Sequence, residues 1–390
     1  MRGCAGARTL ARVTEAGPRL ALFYASIFLA AGVQLPFWPV WLSSRALSAG
    51  EIGALLALGQ WARVATNPLI GMLADRSGGH RLVPVLLGAL CVAGYLSCIP
   101  AHGFLALLVP SLLVSCCASA LFPLADAMAL AAARAGALDY GRVRLWGTIA
   151  FIAATLLGGR LLTGRSADVV LYLMLATTLL VTGSASLLPR LEIARHAATS
   201  ASWRSLLAFR HLVFLGAATL IQASHSVYYA FGTLYWQSIG IADSWIAALW
   251  SEGNVAEILI FFWGARLVRG CGPLGLLALG GGAGMLRWAV TPFASSVPEL
   301  ALVQPLHALT FGAAHLGAMN YLARHVPPAY GATAQTLYSA TVGIGFGLAS
   351  LLSGALYGAA GGKAYLAMAA LAAASLALTA AVAISRNGPE

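Results

Sequence analysis

Long apolar runs, each of about twenty residues, succeed one another along nearly the whole chain, and polar residues gather in the short joints between them. A run of that length crosses the hydrocarbon core of a bilayer as one helix. The pattern predicts about twelve spans, near 19–42, 50–73, 82–100, 104–133, 143–163, 168–188, 208–238, 243–265, 272–292, 297–323, 331–356 and 364–385. The opening stretch, with arginines ahead of an apolar run, has the outline of a signal peptide. Eleven further spans follow it, so a retained first helix is expected.

The longest polar joint, PRLEIARHAATSASWRSLLAFRH at 189–211, divides the spans into two sets of six. The expected organisation is a tail at 1–18, a six-helix bundle at 19–189, a linker at 190–207, a second bundle at 208–385 and a tail at 386–390. An offset of 193 lays GMLADRSGGH (71–80) over GARLVRGCGP (264–273), each following the second span of its half, as a duplicated six-helix unit predicts.

Charge then sets orientation. With the N-terminus taken as cytoplasmic, 17 of the 23 basic residues fall on the cytoplasmic side and four, Arg45, Arg160, Arg165 and Lys363, on the other. The positive-inside rule therefore places both termini in the cytoplasm. The net charge of +11 is explained by topology, and no nucleic-acid partner is expected. Composition agrees: 60% of residues are hydrophobic and 9% charged, far below the quarter usual for soluble domains. The six cysteines lack metal spacing and fall mostly inside apolar runs. The sequence contains no H-E-x-x-H, G-x-S-x-G or P-loop motif, which argues against a membrane enzyme and an ATP-driven pump. The glycine clusters GGGAG (280–284) and GIGFG (343–347) lie inside spans and suit close helix packing better than nucleotide binding.

The segment GMLADRSGGHR, with Gly71, Asp75, Arg76, Gly78 and Arg81, resembles the loop signature of the major facilitator superfamily between helices 2 and 3. It suits a conformational latch: Gly71 permits close helix approach, and Asp75 at the membrane face accepts from an arginine or a helix N-terminus. The alternative is a solvated turn with snorkelling arginines. The segments LPFWPVWL (35–42), FPLADA (122–127), DYGRVRLWGT (139–148), SHSVYYAFGTLYWQ (224–237), LWSEGNVAEILIF (249–261), LRW (286–288) and HALTFGAAHLGAM (307–319) follow in an order that resembles the phenylpropionate permease family of proton symporters. That family is related to lactose permease and the nucleoside–proton symporters. The resemblance implies an all-α integral membrane protein with the twelve-helix major facilitator fold in two six-helix bundles.

Ionisable residues at lipid depth survive when they face a cavity and have partners. Glu257 aligns with the helix 8 acid of the related permeases and Arg287 with their helix 9 arginine; Glu257 is the expected proton-coupling group. Helix 10 offers His307 and His315, about 80° apart on an ideal helix, but no following acid. His315 is the second choice for the proton, and either histidine can instead be a packing residue. Glu252 lies about 140° from Glu257 around the same helix and is expected to face substrate or the periphery. An ion pair with Arg287 is the structural alternative for Glu257.

Asp126 and Arg144 resemble the charge pair at the lactose permease substrate site, with Arg142 close by as the competing arginine. Gln34, Trp38, His225, Tyr228, Tyr229 and Asn254 complete the expected cavity wall, while Trp41 and Trp236, near outer helix ends, are expected in the interfacial belt.

These residues imply a secondary active transporter of the inner (cytoplasmic) membrane, a functional monomer whose partners are protons, a small-molecule substrate and lipid. It would need no cofactor beyond the proton gradient. An aromatic or other monocarboxylate is the expected substrate. A sugar or nucleoside symporter, a uniporter and an efflux carrier remain the alternatives.

Overall fold

A computed structural model describes residues 16–77, 81–134, 138–188, 208–327 and 330–384. The expected tails at 1–18 and 386–390 and the linker at 190–207 lie almost wholly outside these residues. Every described element is helical. The first six are α1 Ala16–Ser44, α2 Ala49–Ser77, α3 Leu82–Cys98, α4 Phe104–Arg134, α5 Tyr140–Leu162 and α6 Asp168–Ser186. The next spans are less regular. Helices α7 Phe209–Ala223 and α8 Ser226–Ser238 form one span interrupted at Ser224 and His225. After α9 Asp243–Phe262, helix α10 Gly264–Val290 is kinked at Gly272, whose φ of 68° favours a residue without Cβ. A further span runs from α11 Val297–Val303 through a π-turn at Ala308–Ala313 into α12 Ala314–His325. Helices α13 Gly331–Ala360 and α14 Tyr365–Ile384 complete the described chain. The expected spans match this series within a few residues except the ninth, expected from 272, whose helix starts at Gly264 and reaches Gly272 at its kink.

The helix ends follow local chemistry. Asp139 caps α5 by accepting from the Arg142 backbone N–H at 3.2 Å, and Ser296 with Glu299 forms a reciprocal capping box on α11. Gly361, at φ 55°, ends α13.

The chain divides into two compact units, residues 1–47 with 65–196 and residues 48–64 with 197–390. The first unit buries Phe23, Tyr24, Leu87, Leu121, Met128 and Val181 in one core. The second buries Phe214, Ile221, Tyr228, Trp250, Trp288 and Tyr365. Residues 48–64, the start of α2, belong to the second unit. There a Cβ on Gly53 would stand 2.8 Å from the Gly354 Cα, and the Trp61 indole donates to the Ile344 carbonyl at 3.3 Å. Large apolar side chains such as Leu105, Val109, Phe209 and Leu302 point outward, the arrangement that suits lipid contact.

Candidate functional site

In the second unit, Arg287 of α10 is fully buried. Its Nη1 donates to His307 Nδ1 at 3.0 Å and to Thr310 Oγ1 at 3.1 Å, and its Nη2 to Gln304 Oε1 at 2.9 Å. The guanidinium lies over the rings of Trp288 and Tyr228, at 4.3 and 4.7 Å from their centroids. All of these partners are neutral acceptors or aromatic faces, and Nε has no hydrogen-bond partner among the described residues. Gln304 locks the fork in place: its Nε2 donates to the Tyr228 hydroxyl at 3.0 Å and to the Leu249 carbonyl at 3.1 Å, tying three helical spans to one guanidinium.

Glu257 approaches from α9. Its Oε2 stands 3.9 Å from His307 Nε2, and its side chain keeps 17% of its surface exposed. Two glycines make that approach possible. A Cβ on Gly253 would meet His307 at 3.3 Å, and one on Gly312 would meet the Glu257 Cγ at 3.1 Å. Helix α9 stays unbroken, so Glu252 diverges from Glu257 as the spacing requires; it is half-buried, on the Tyr228 side.

The π-turn alters the expected relation between the two histidines. Its wider winding lowers the rotation per residue, and His307, Phe311 and His315 stack their rings nearly parallel, with interplanar angles of 12° and 8°. They share one face instead of diverging by about 80°. His315 also lies beside the Tyr338 ring, 6.4 Å away.

The first unit holds a second polar cluster. Tyr24 and Tyr140 both donate to Asp126 Oδ1, the latter at 2.8 Å, and Arg144 Nη1 donates to the Tyr140 hydroxyl at 3.0 Å while standing 3.7 Å from Asp126. Arg142 is 87% exposed and pairs only loosely with Asp139, at 3.9 Å, so the geometry selects Arg144. Gln34 lines a cavity of about 30 Å³ with Tyr95, Phe122 and Thr178, room for about one water.

Several expectations need correction. Trp38 is buried against Trp41 and Tyr95, with ring centroids 4.7 and 5.4 Å away, and does not line the cavity at Gln34. Trp41 and Trp236 are fully buried, not interfacial; the Trp41 indole donates to Asp168 at 3.2 Å beneath Arg45. His225 is fully buried, with both ring nitrogens engaged, and supports the site from behind. Asn254 donates to the Trp250 carbonyl of its own helix at 2.8 Å. Tyr228 orients Arg287, while Tyr229 is half-buried between His225 and Phe346. At the loop motif, a Cβ on Gly71 would meet no atom within 4 Å, so no described helix presses on that glycine; Arg76 and Arg81 are exposed. Gly78 and the Asp75 side chain lie outside the described residues. Gln304, Thr310, Tyr24 and Tyr140 were not anticipated. For Gln304 and Thr310 the signal was present: with His307 they form a polar row at three-residue spacing inside an apolar span.

Residues 18–368 match the model of the MFS_1 like family. The chain is 35% identical over 321 residues to the "Probable 3-phenylpropionic acid transporter" of Escherichia coli (strain K12), spanning 78% of this chain and 81% of that protein. It is 31% identical over 336 residues to the maltose permease of Geobacillus stearothermophilus, spanning 84% and 83% respectively. The solved structure of the nucleoside transporter NupG superimposes with a TM-score of 0.80 at 20% identity, covering 96% of this chain and 99% of that one.

Proposed function

The chain belongs to the MFS_1 like family, and from that premise we propose that it is a proton symporter importing a small monocarboxylate with an aromatic body. That it is a multi-pass secondary transporter of the major facilitator type, and not an enzyme, follows from the family and the fold. One observation carries the finer reading. Arg287 is a cation with no exposed surface, held by neutral acceptors and walled by aromatic rings. Burying a charge among neutral groups is unfavourable: unloaded, Glu257 balances it only from across His307, and a substrate carboxylate would bond the guanidinium itself. The neighbouring rings of Tyr228, Tyr229, Trp250 and Phe311 suit an aromatic body. The protein named for 3-phenylpropionic acid among the relatives has that chemistry; the maltose and nucleoside carriers supply the competing reading.

Glu257 is the group assigned to the proton. Unloaded, Arg287 and a Glu257 carboxylate cancel. An arriving anion restores a net negative charge, and one added proton removes it. A stoichiometry of one proton per anion therefore keeps the cluster neutral throughout. The assignment also has both termini in the cytoplasm, an inner membrane location, and a functional monomer working by alternating access.

Such a cycle moves no net charge. In sealed vesicles with a pH gradient, uptake of 3-phenylpropionate above the protein-free baseline should be abolished by nigericin and unaffected by a potassium–valinomycin potential. Maltose or uridine carried with one proton would instead respond to the potential, since a charge crossing 100 mV gains about 2.3 kcal/mol. Glu257→Gln should lose uphill accumulation and keep counterflow exchange. Accumulation against a gradient by that variant would remove Glu257 from the mechanism.

A further inference from the structure

Arginine only donates hydrogen bonds, so each contact of Arg287 fixes where its partner's proton sits. His307 Nδ1 receives Nη1 at 3.0 Å and therefore presents a lone pair. The single ring proton of neutral His307 lies on Nε2, on the side of the Glu257 carboxylate 3.9 Å away. His225 is held in the opposite tautomer. Its Nδ1 faces the carbonyls of Ile221 and Gln222, at 3.1 and 3.2 Å, which only accept, so that nitrogen carries the proton. Its Nε2 then shares the one Thr310 hydroxyl proton, from 3.0 Å, with the His307 carbonyl 3.2 Å away, while the same oxygen accepts from Arg287.

The titratable and charged groups facing His307 come from three directions. Glu257 approaches from α9 and Arg287 from α10. His225 and Tyr228 approach from the α7–α8 span, with ring centroids 5.7 and 6.1 Å away. His225 has no free nitrogen, and the Tyr228 hydroxyl is held by Gln304. His307 is thus placed to receive a proton, but not while Arg287 occupies Nδ1.

A substrate carboxylate at Arg287 competes for the same donor. We infer that Arg287 is a shared donor that links the two cargoes: an anion that draws it off His307 uncovers Nδ1, and Nδ1 then takes up the accompanying proton. This rests on the carboxylate–proton reading above and names the atom through which it operates. A hydronium ion of the medium gives up one proton to form the Nδ1–H bond and is left as water. The ring then stays an imidazolium opposite the Glu257 carboxylate, or its Nε2–H bond breaks as Glu257 Oε2–H forms. One proton is gained either way, and Nδ1 ends protonated. Binding of anion and proton is then mutually reinforcing, as linkage requires.

The purified full chain in detergent provides the test, with 3-phenylpropionate as probe and 3-phenylpropanamide as its uncharged counterpart. Calorimetry near neutral pH, in buffers of different ionisation heat, counts protons taken up on binding. The wild type should approach about one per phenylpropionate, with affinity rising up to about tenfold per unit fall in pH, and take up none with the amide. His307→Gln should still bind the anion but lose the uptake and the pH slope. Nitrogen-15 spectra of the wild type, with the His307 signal identified by its loss in that variant, should show Nδ1 bare before phenylpropionate and protonated after. A bare Nδ1 in the bound state, or full proton uptake by His307→Gln, overturns the inference and leaves Glu257 as the acceptor with the transport reading intact. Failure of phenylpropionate to bind at any pH overturns the carboxylate reading, and this inference with it.

Discussion

The polar clusters of the two units are built on opposite plans. In the first, a carboxylate is the centre: Asp126 collects two tyrosine hydroxyls and a nearby guanidinium, and the Asp126 and Arg144 side chains stay 37% and 54% exposed. In the second, a guanidinium is the centre, wholly buried among neutral groups. A compensated, wet pair contributes little energy and adapts easily. A dry cation whose balancing carboxylate stands beyond a neighbouring histidine gains from an anion bonded to it directly. Under the proposed function the second cluster is the one that selects the charge of the cargo, and the first is a polar cluster that can adapt.

The largest expected effect follows from removing that cation. Arg287→Gln should weaken 3-phenylpropionate binding by on the order of 2–5 kcal/mol, a loss of thirtyfold or more, because the carboxylate would then enter an apolar site without a partner. Titration of the detergent-purified variant measures this, and affinity within threefold of wild type would erase the distinction between the clusters. Asp126→Asn should cost less, roughly 1–2 kcal/mol in transport, since two tyrosine donors lose a charged acceptor in a half-exposed place. Initial uptake rates read it out; a deficit as large as that of Arg287→Gln would make the first cluster the charge selector.

Gly312→Ala is expected to act more gently. The added methyl would press on the Glu257 Cγ, 3.1 Å away, and shift the carboxylate relative to His307. Overpacking of this kind typically costs about 1 kcal/mol. It should lower uphill accumulation several-fold while leaving anion affinity unchanged, so unaltered accumulation would show that the Glu257 position is not critical. Arg142→Gln should have no measurable effect on uptake, because its side chain is 87% exposed and, among the described residues, pairs with Asp139 at 3.9 Å. A deficit matching that of Arg144→Gln would reverse the choice between the two arginines.

Much of this was legible in the residues. Span number and position follow from run length, because a bilayer imposes one thickness on every helix. Glu257, Arg287 and His307 stand out because charge at lipid depth is costly, and the structure does bring them together. Helix rotation was not legible. In spans apolar all round, nothing tells which side of Trp38, Trp41 or Trp236 faces the core, and all three are buried. Pairings across long separations, such as Tyr24 with Asp126, 102 residues apart, leave no local trace. The interruptions at Ser224–His225 and at the π-turn arise where side chains satisfy one another across helices, which no propensity anticipates.

The π-turn at Ala308–Ala313 also makes the second cluster tolerant of a change in chain length. Six consecutive residues wind there more loosely than an α-helix allows, so the segment stores one surplus position. Deleting a single residue such as Ala313 would let ordinary helix re-form without breaking the span. The segments on either side would keep their relative rotation, because seven residues of ordinary helix turn about 700°, nearly two full circles. Gln304 and His307 would stay beside Arg287, with His315 still on their side of the helix. The same deletion in regular helix would instead swivel one side by about 100° against the other.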